Sequence, residues 1–232
     1  MLGVNQLDFN NYTTALKGNY RKGVHRFRAL LQNPVQGAEF AANLGGVSVV
    51  FGVPIEQPDK NSAELLGLLQ ASPHCDKAVE TWLHQFYAFD AGDWDGLLSS
   101  ATTCRELAGN AFMFRAVSAS GVAMGKLVVT LSGGNCRLYK DMTAVAASQT
   151  AMAAVAGSAT ALTAIFQSSI AMAAVNGSQI AINAIANTSG PVITQTVVNL
   201  AGLPQGTYTS MAQIAASSTA MAAVAASSTA MA

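Results

Sequence analysis

Apolar and polar positions along the second half of the chain fall on a grid of ten residues. Ser217-Ser218-Thr219-Ala220-Met221-Ala222-Ala223-Val224-Ala225-Ala226 is followed by Ser227-Ser228-Thr229-Ala230-Met231-Ala232. Each decad carries a pair of large apolar residues three apart. The pairs are Met142/Val145, Met152/Val155, Leu162/Ile165, Met172/Val175, Ile182/Ile185, Met211/Ile214 and Met221/Val224. Small or polar residues fill the gaps, and Ser148, Ser158, Ser168 and Ser178 recur at one fixed place. The grid reaches back through Met124/Leu127, Phe114/Val117 and Cys104/Leu107 to Trp94/Leu97. An internal repeat of this kind decides architecture before any local motif does.

Ala, Met and Leu favour helix, and residues three apart share a helical face. The array is therefore expected to be helical. Ten residues of straight α-helix turn through about 1000°, about 80° short of three full turns, so an apolar stripe would drift with every repeat. The spacing favours a zigzag or stack of two-turn helices over the alternative, a continuous and permanently overwound coiled coil. Each would be capped by its serine, with Gly157 and Asn176-Gly177 at the preceding C-caps. Such helices do not persist alone and need neighbouring repeats or chains.

Two stretches leave the grid. Residues 127–141 place β-prone runs on either side of Gly133-Gly134-Asn135, which predicts a hairpin. Residues 189–209, with Pro191, Val192, Ile193, Val197, Val198, Gly202, Pro204 and Gly206, also read as extended. The expected fold class is mainly α, made of short Ala-rich helical decads with small β-hairpin insertions. A mixed α/β region, residues 1–90, precedes the array, residues 91–232. Within the N-terminal region, Tyr12 to Gln32 predicts an amphipathic helix that Asn33-Pro34 ends, and Gly46 to Val53 a short buried strand. Helices are expected after Asn61 or Ser62, and from Ser72-Pro73 onward, the latter carrying Val79, Trp82, Leu83 and Phe86.

Charge changes this picture. All 24 Asp, Glu, Lys and Arg residues lie at or before Asp141. A surface without charge tends to associate, so the later decads are expected to be covered by other copies or other proteins. The fourteen paired residues from Met142 to Val224 are the expected oligomer-packing positions. The last repeat stops at Met231-Ala232 without a polar capping unit, so its end is expected to continue in a longer chain or to be covered. Ser, Thr, Asn and Gln interrupt the apolar residues too often for a membrane span, and no secretory signal is visible at Met1 to Gln6. Cys75, Cys104 and Cys136, odd in number and widely spaced, read as reduced thiols in a cytoplasmic fold.

Candidate chemistry is sparse. Lys17, Arg21, Lys22, Arg26 and Arg28, with His25, form a basic cluster best read as the solvated face of a helix, without a nucleic-acid motif. His74-Cys75-Asp76 with His84 resembles a metal or nucleophile site, but Cys75 and His84 are nine apart and off register. Asp90, Asp93 and Asp95 suggest a calcium loop whose closing Glu is missing, Ala101 standing in its place. No catalytic, cofactor or metal residues are therefore assigned, and an enzyme is not expected.

The unit Ser-x-x-Ala-Met-x-Ala-Val-Ala-x, as in Ser217 to Ala226 and Gln149 to Ser158, resembles the decad arrays of bacteriophage tail-fibre and virion appendage proteins. The resemblance covers residues 100–232. It implies a virion component made in the bacterial cytoplasm, homo-oligomeric and often trimeric. The N-terminal part would dock to other virion proteins and the array would form a fibre, collar or stalk. An ice- or surface-binding repeat module and a cell-surface adhesin are the alternatives. The buried-type Met/Val pairs argue against the first, and the missing secretion signal and anchor against the second.

Overall fold

A computed structural model describes residues 20–43, 47, 50, 65, 67–90 and 92–230. It is mainly helical, and no strand occurs among the described residues. The chain divides into two compact units, Met1–Asp93 and Trp94–Ala232.

In the first unit, α1 (Tyr20–Gln32) buries Val24, Phe27, Leu30 and Leu31. Asn33 then breaks direction and caps α2 (Pro34–Ala42), its side chain accepting from the Val35 and Gln36 amides at 3.0 and 3.1 Å. Pro34 suits that first helical position because its missing N–H would have had no partner there. Phe27 meets Phe40 edge to face at 5.3 Å between ring centres. Helix α3 (Cys75–Phe86) packs on α2, with the Thr81 hydroxyl donating to the Ala41 carbonyl at 2.7 Å. Gly37 lets the His74 ring lie directly on the α2 backbone, where a Cβ would collide with it.

Two expectations for this unit need correction. The helix expected from Ser72-Pro73 starts at Cys75, and the Ser72 hydroxyl instead closes a local turn by accepting from the His74 amide at 3.1 Å. Val47 and Val50, placed in a strand by their β-branched run, lie in helical turns and are buried. Neighbouring helices decide such apolar segments more strongly than β propensity does. The rest of that run, the helix start at Tyr12 and the cap at Asn61 or Ser62 lie outside the described residues, while Leu65 and residues 67–70 are helical, as expected of the helix running through Gln70.

The second unit begins with α4 (Trp94–Leu97), α5 (Ala101–Gly109), α6 (Ala111–Ser118) and α7 (Gly121–Leu131). A 3₁₀ turn at Cys136–Leu138 follows. Then come the decad helices α8 (Met142–Ala146), α9 (Gln149–Ala156), α10 (Ala159–Phe166), α11 (Ser169–Asn176) and α12 (Gln179–Ala186). The unit ends with α13 (Gly190–Leu200), α14 (Met211–Ala216) and α15 (Ser218–Ala226).

Each complete decad is an eight-residue helix, one further residue near φ −80°, and one extended serine. The serine breaks the helix direction and starts the next one. Ser148, Ser158, Ser168, Ser178 and Ser217 each accept from the amide three residues on, at 3.2–3.3 Å. This satisfies a helix-start donor that has no other partner. The axes turn by 102° at α9/α10 and at α11/α12, and by 119° at α6/α7. Three such corners nearly close a triangle. Accordingly α10 packs on α7, α11 on α8, α12 on α9 and α13 on α10. From α7 to α12 the array is a stack of two layers, each of three helices, as solenoids are built. Of the last three helices, α13 packs on α10, while α14 and α15 gather with it around a cluster of their own, Val198, Leu203, Ile214, Ala220 and Val224.

Neither glycine at a helix end adopts the left-handed cap expected of it. Gly157 and Gly177 have φ −82° and −80°, the same backbone as Ala147 and Gln167 at the equivalent place. The corner turns at the extended serine, so no positive φ is needed before it.

The two expected β insertions are also corrected. Val128, Val129 and Thr130 belong to helix α7, whose residues 123–130 are all buried by the helices around it. Residues 191–200 belong to α13, which Pro191 opens at its first turn. The segments after each helix run back as irregular chain. Gly133 and Gly202 start these returns at φ 82° and 63°, a region that costs L side chains about 1–2 kcal/mol. The return after α7 passes so close that a Cβ on Gly125 would lie 2.5 Å from the Asp141 carbonyl carbon.

The two returns correspond at an offset of 69 residues. Gly121 to Thr163 and Gly190 to Ala232 share twenty of 43 residues. The Gly134 amide donates to Val129 at 2.8 Å as Leu203 does to Val198 at 2.9 Å. The pair Tyr139/Ser148 (3.5 Å between hydroxyls) corresponds to Tyr208/Ser217 (3.3 Å). A longer unit of two layers and one return is therefore superimposed on the decad.

Candidate assembly surface

The decad serines do two jobs. Besides capping, the Ser158 hydroxyl donates to the Leu131 carbonyl at 3.2 Å, and Ser168 to Ser118 at 3.0 Å. Ser178 donates to Ala146 at 2.6 Å, and Ser227 to Leu200 at 3.0 Å. These carbonyls stand at helix ends, where no intrahelical donor reaches them. The same hydroxyl thus starts one helix and ties it to a helix end in another layer. The first bond ties the start of α10 to the end of α7, and the second ties the start of α11 to the end of α6. The third ties the start of α12 to the end of α8.

The paired residues sort by layer. Met142, Val145, Met152, Val155, Leu162, Ile165, Val175, Ile214 and Val224 are buried within this single chain, while Met172 and Ile185 are half-buried. Most of the expected oligomer-packing positions are therefore the chain's own core, because the stack folds back on itself every third helix. Ile182, Met211 and Met221 are exposed, as are Ile170, Ile180 and Ile193. The pairing pattern did not single out Ala151, Ala161, Ala171, Ala181 and Ala220, three residues after each serine, all of them buried. Their recurrence at one decad position was the available signal.

Charge is confined to one end of the stack. Asp95, Arg105, Glu106, Arg115, Lys126, Arg137, Lys140 and Asp141 all precede α8. Lys126, nearly buried on α7, pairs with half-exposed Asp95 on α4 at 2.6 Å. Beside them, the Thr130 hydroxyl and the Cys104 thiol both donate to the Leu98 carbonyl, at 2.7 and 3.3 Å. Burial pushes the Cys104 thiol up from 9.0 to about 12, with Cys136 adding to the rise, while the Thr130 hydrogen bond and Arg105 oppose it. A thiol held neutral in this way is a poor nucleophile.

In the first unit, His84 accepts from the Gly92 amide through Nε2 at 3.3 Å. Burial lowers its pKa below 6.5, and Lys77 lowers it further, against the pull of Glu80 and Asp93. Among the described residues no three His, Cys, Asp or Glu side chains converge to hold a metal ion. No single described helix is long and apolar enough to cross a membrane.

No protein-family model matches the chain, and neither a curated relative nor a solved structure is similar to it.

Proposed function

We propose that the chain is a structural component of a bacteriophage virion appendage (tail fibre, collar or baseplate). The N-terminal unit serves for attachment and the decad array as a homo-oligomeric spacer. The observation that carries this reading is the second unit itself. From Trp94 to Ala232 it is one repetitive stack, and its layers after Asp141 hold no charged side chain. The hydroxyls of Ser158, Ser168 and Ser178 in those layers are committed to caps and interlayer ties. Rigidity and a neutral surface suit assembly better than catalysis. The likeness of the decads to phage appendage arrays supplies the virion setting.

The ice- or surface-binding alternative needs one flat array of hydroxyls. Thr150, Thr160 and Thr219 occupy the exposed place two residues after the capping serine, but Ile170 and Ile180 take it on the intervening decads. The 102° turns also point successive helices in different directions. Light scattering on the purified chain, together with immunogold labelling of phage particles carrying it, tests the proposal. A defined oligomer and labelled appendages are expected. A monomer at all concentrations, or unlabelled particles, would reject it.

A further inference from the structure

The two returns build the same connection from different surface residues. Tyr139 and Asp141 have structural jobs that recur: Tyr139 pairs with Ser148 as Tyr208 does with Ser217, and Asp141 caps α8 as Ser210 caps α14. Arg137, Leu138 and Lys140 have no such recurrence. At the 69-residue offset they correspond to Gly206, Thr207 and Thr209, so the connection does not require a basic, apolar tip. Yet Leu138 is 73% exposed, more than any other large apolar side chain among the described residues, and Arg137 and Lys140 beside it are exposed too. Among the described residues neither cation forms an ion pair, and the neighbouring Asp141 carboxylate is committed to its cap.

The first unit carries a surface of the opposite character. Helix α3 ends with Ala88 at φ 57°, a left-handed conformation that L side chains resist. That turn lets the Phe89 amide reach back to the His84 carbonyl at 2.8 Å. On either side of it Phe86 and Phe89 are 61% and 38% exposed. The Phe86 ring stacks on Trp82 at 4.9 Å between centres and meets Tyr87 edge to face at 5.0 Å. Asp90 and Asp93 follow, both exposed. An aromatic surface is thus joined to two carboxylates at a helix C-terminus, whose carbonyls add negative potential.

We infer that the tip at residues 137–140 of one copy docks on residues 86–93 of a second copy of the chain. Leu138 covers the exposed phenylalanines, and Arg137 and Lys140 face Asp90 and Asp93. An apolar centre rimmed by opposite charges gives both contact area and register. A polyanion would suit the tip but be repelled by the carboxylates, whereas a second copy satisfies both surfaces. Every copy carries one tip and one segment, so the contact is head-to-tail and closes as a ring or grows as a filament. The inference rests on the assembly reading above and names the surfaces that carry it.

Sedimentation velocity across a concentration series tests the inference on the full chain. A tip variant carries Leu138→Asp and Lys140→Glu, and a segment variant carries Phe86→Ser and Asp90→Lys. Thr207→Glu, at the matching place in the second return, is the control. All the substituted side chains are exposed, and matching helical circular dichroism confirms folding. The unmodified chain and the control are expected to associate as concentration rises. In each variant alone the dissociation constant should rise at least about tenfold. An equimolar mixture of the two variants should regain association and stop at the dimer, because one intact tip meets one intact segment. Unchanged association in both variants, or a mixture that stays monomeric, would overturn the inference while leaving the assembly reading standing. A monomer for the unmodified chain at every concentration would overturn both.

Discussion

Replacing Ser178 by Ala removes two interactions with one oxygen. The hydroxyl caps α12 by accepting from the Ala181 amide at 3.3 Å. It also donates at 2.6 Å to the Ala146 carbonyl, 32 residues back. Loss of an N-cap costs about 1 kcal/mol. Stranding a helix-end carbonyl that is partly shielded from water costs about 1 kcal/mol more. The expected loss is therefore about 2 kcal/mol, or a fall of about 6 °C in the melting temperature of a unit this size. Ser100→Ala supplies the comparison, because Ser100 caps α5 by accepting from Thr103 and is exposed. It should cost about 1 kcal/mol. Urea unfolding followed by circular dichroism measures both. Equal losses in the two variants would refute the double role and, with it, the interlayer tie.

Met152→Ala should cost about 3 kcal/mol in the same assay, because it opens a cavity in a closed layer, while Met221→Ala at the exposed end should cost under about 0.5 kcal/mol. Asp95→Asn leaves the nearly buried Lys126 ammonium without its counter-charge. The expected loss is about 2 kcal/mol, below the value for a fully buried pair because Asp95 is half-exposed. The Cys104 thiol titrates near 9.0 when unfolded and near 12 when folded. Its neutral form is therefore favoured by the fold, and that contribution is complete below pH 9 and lost as pH rises towards 12. Alkylation at pH 9 followed by peptide mass analysis should leave Cys104 unmodified in the native chain and modified in urea.

The decad and its serines were readable in the sequence because both are local. A cap and its amide lie three residues apart, and a Met/Val pair fits within one helical turn. The layers were not readable from that period. A helix and the one it packs on are about thirty residues apart, and the ten-residue grid looks the same for a chain that folds on itself as for one that packs on partners. Met142 and Met152 therefore read as intermolecular contacts, although α11 and α12 of the same chain cover them. The errors at 127–141 and 189–209 share another cause. Val128-Val129-Thr130 and Val197-Val198 favour a strand by intrinsic preference, but burial among helices outweighs a bias of this size. Two helix signals were present, Ser189 followed by Pro191 at the start of α13 and the 69-residue match to Gly121 onward.

The layered stack is tested most directly by a distance. Ala153 on α9 and Asn183 on α12 are exposed, thirty residues apart in sequence, and line one groove between adjacent layers. Spin labels on cysteines placed at these two sites, with the three native cysteines buried, report the separation by electron paramagnetic resonance. The stack predicts helix axes about 10 Å apart and strong dipolar broadening. A separation near 45 Å, the length of thirty residues in one continuous helix, would contradict it.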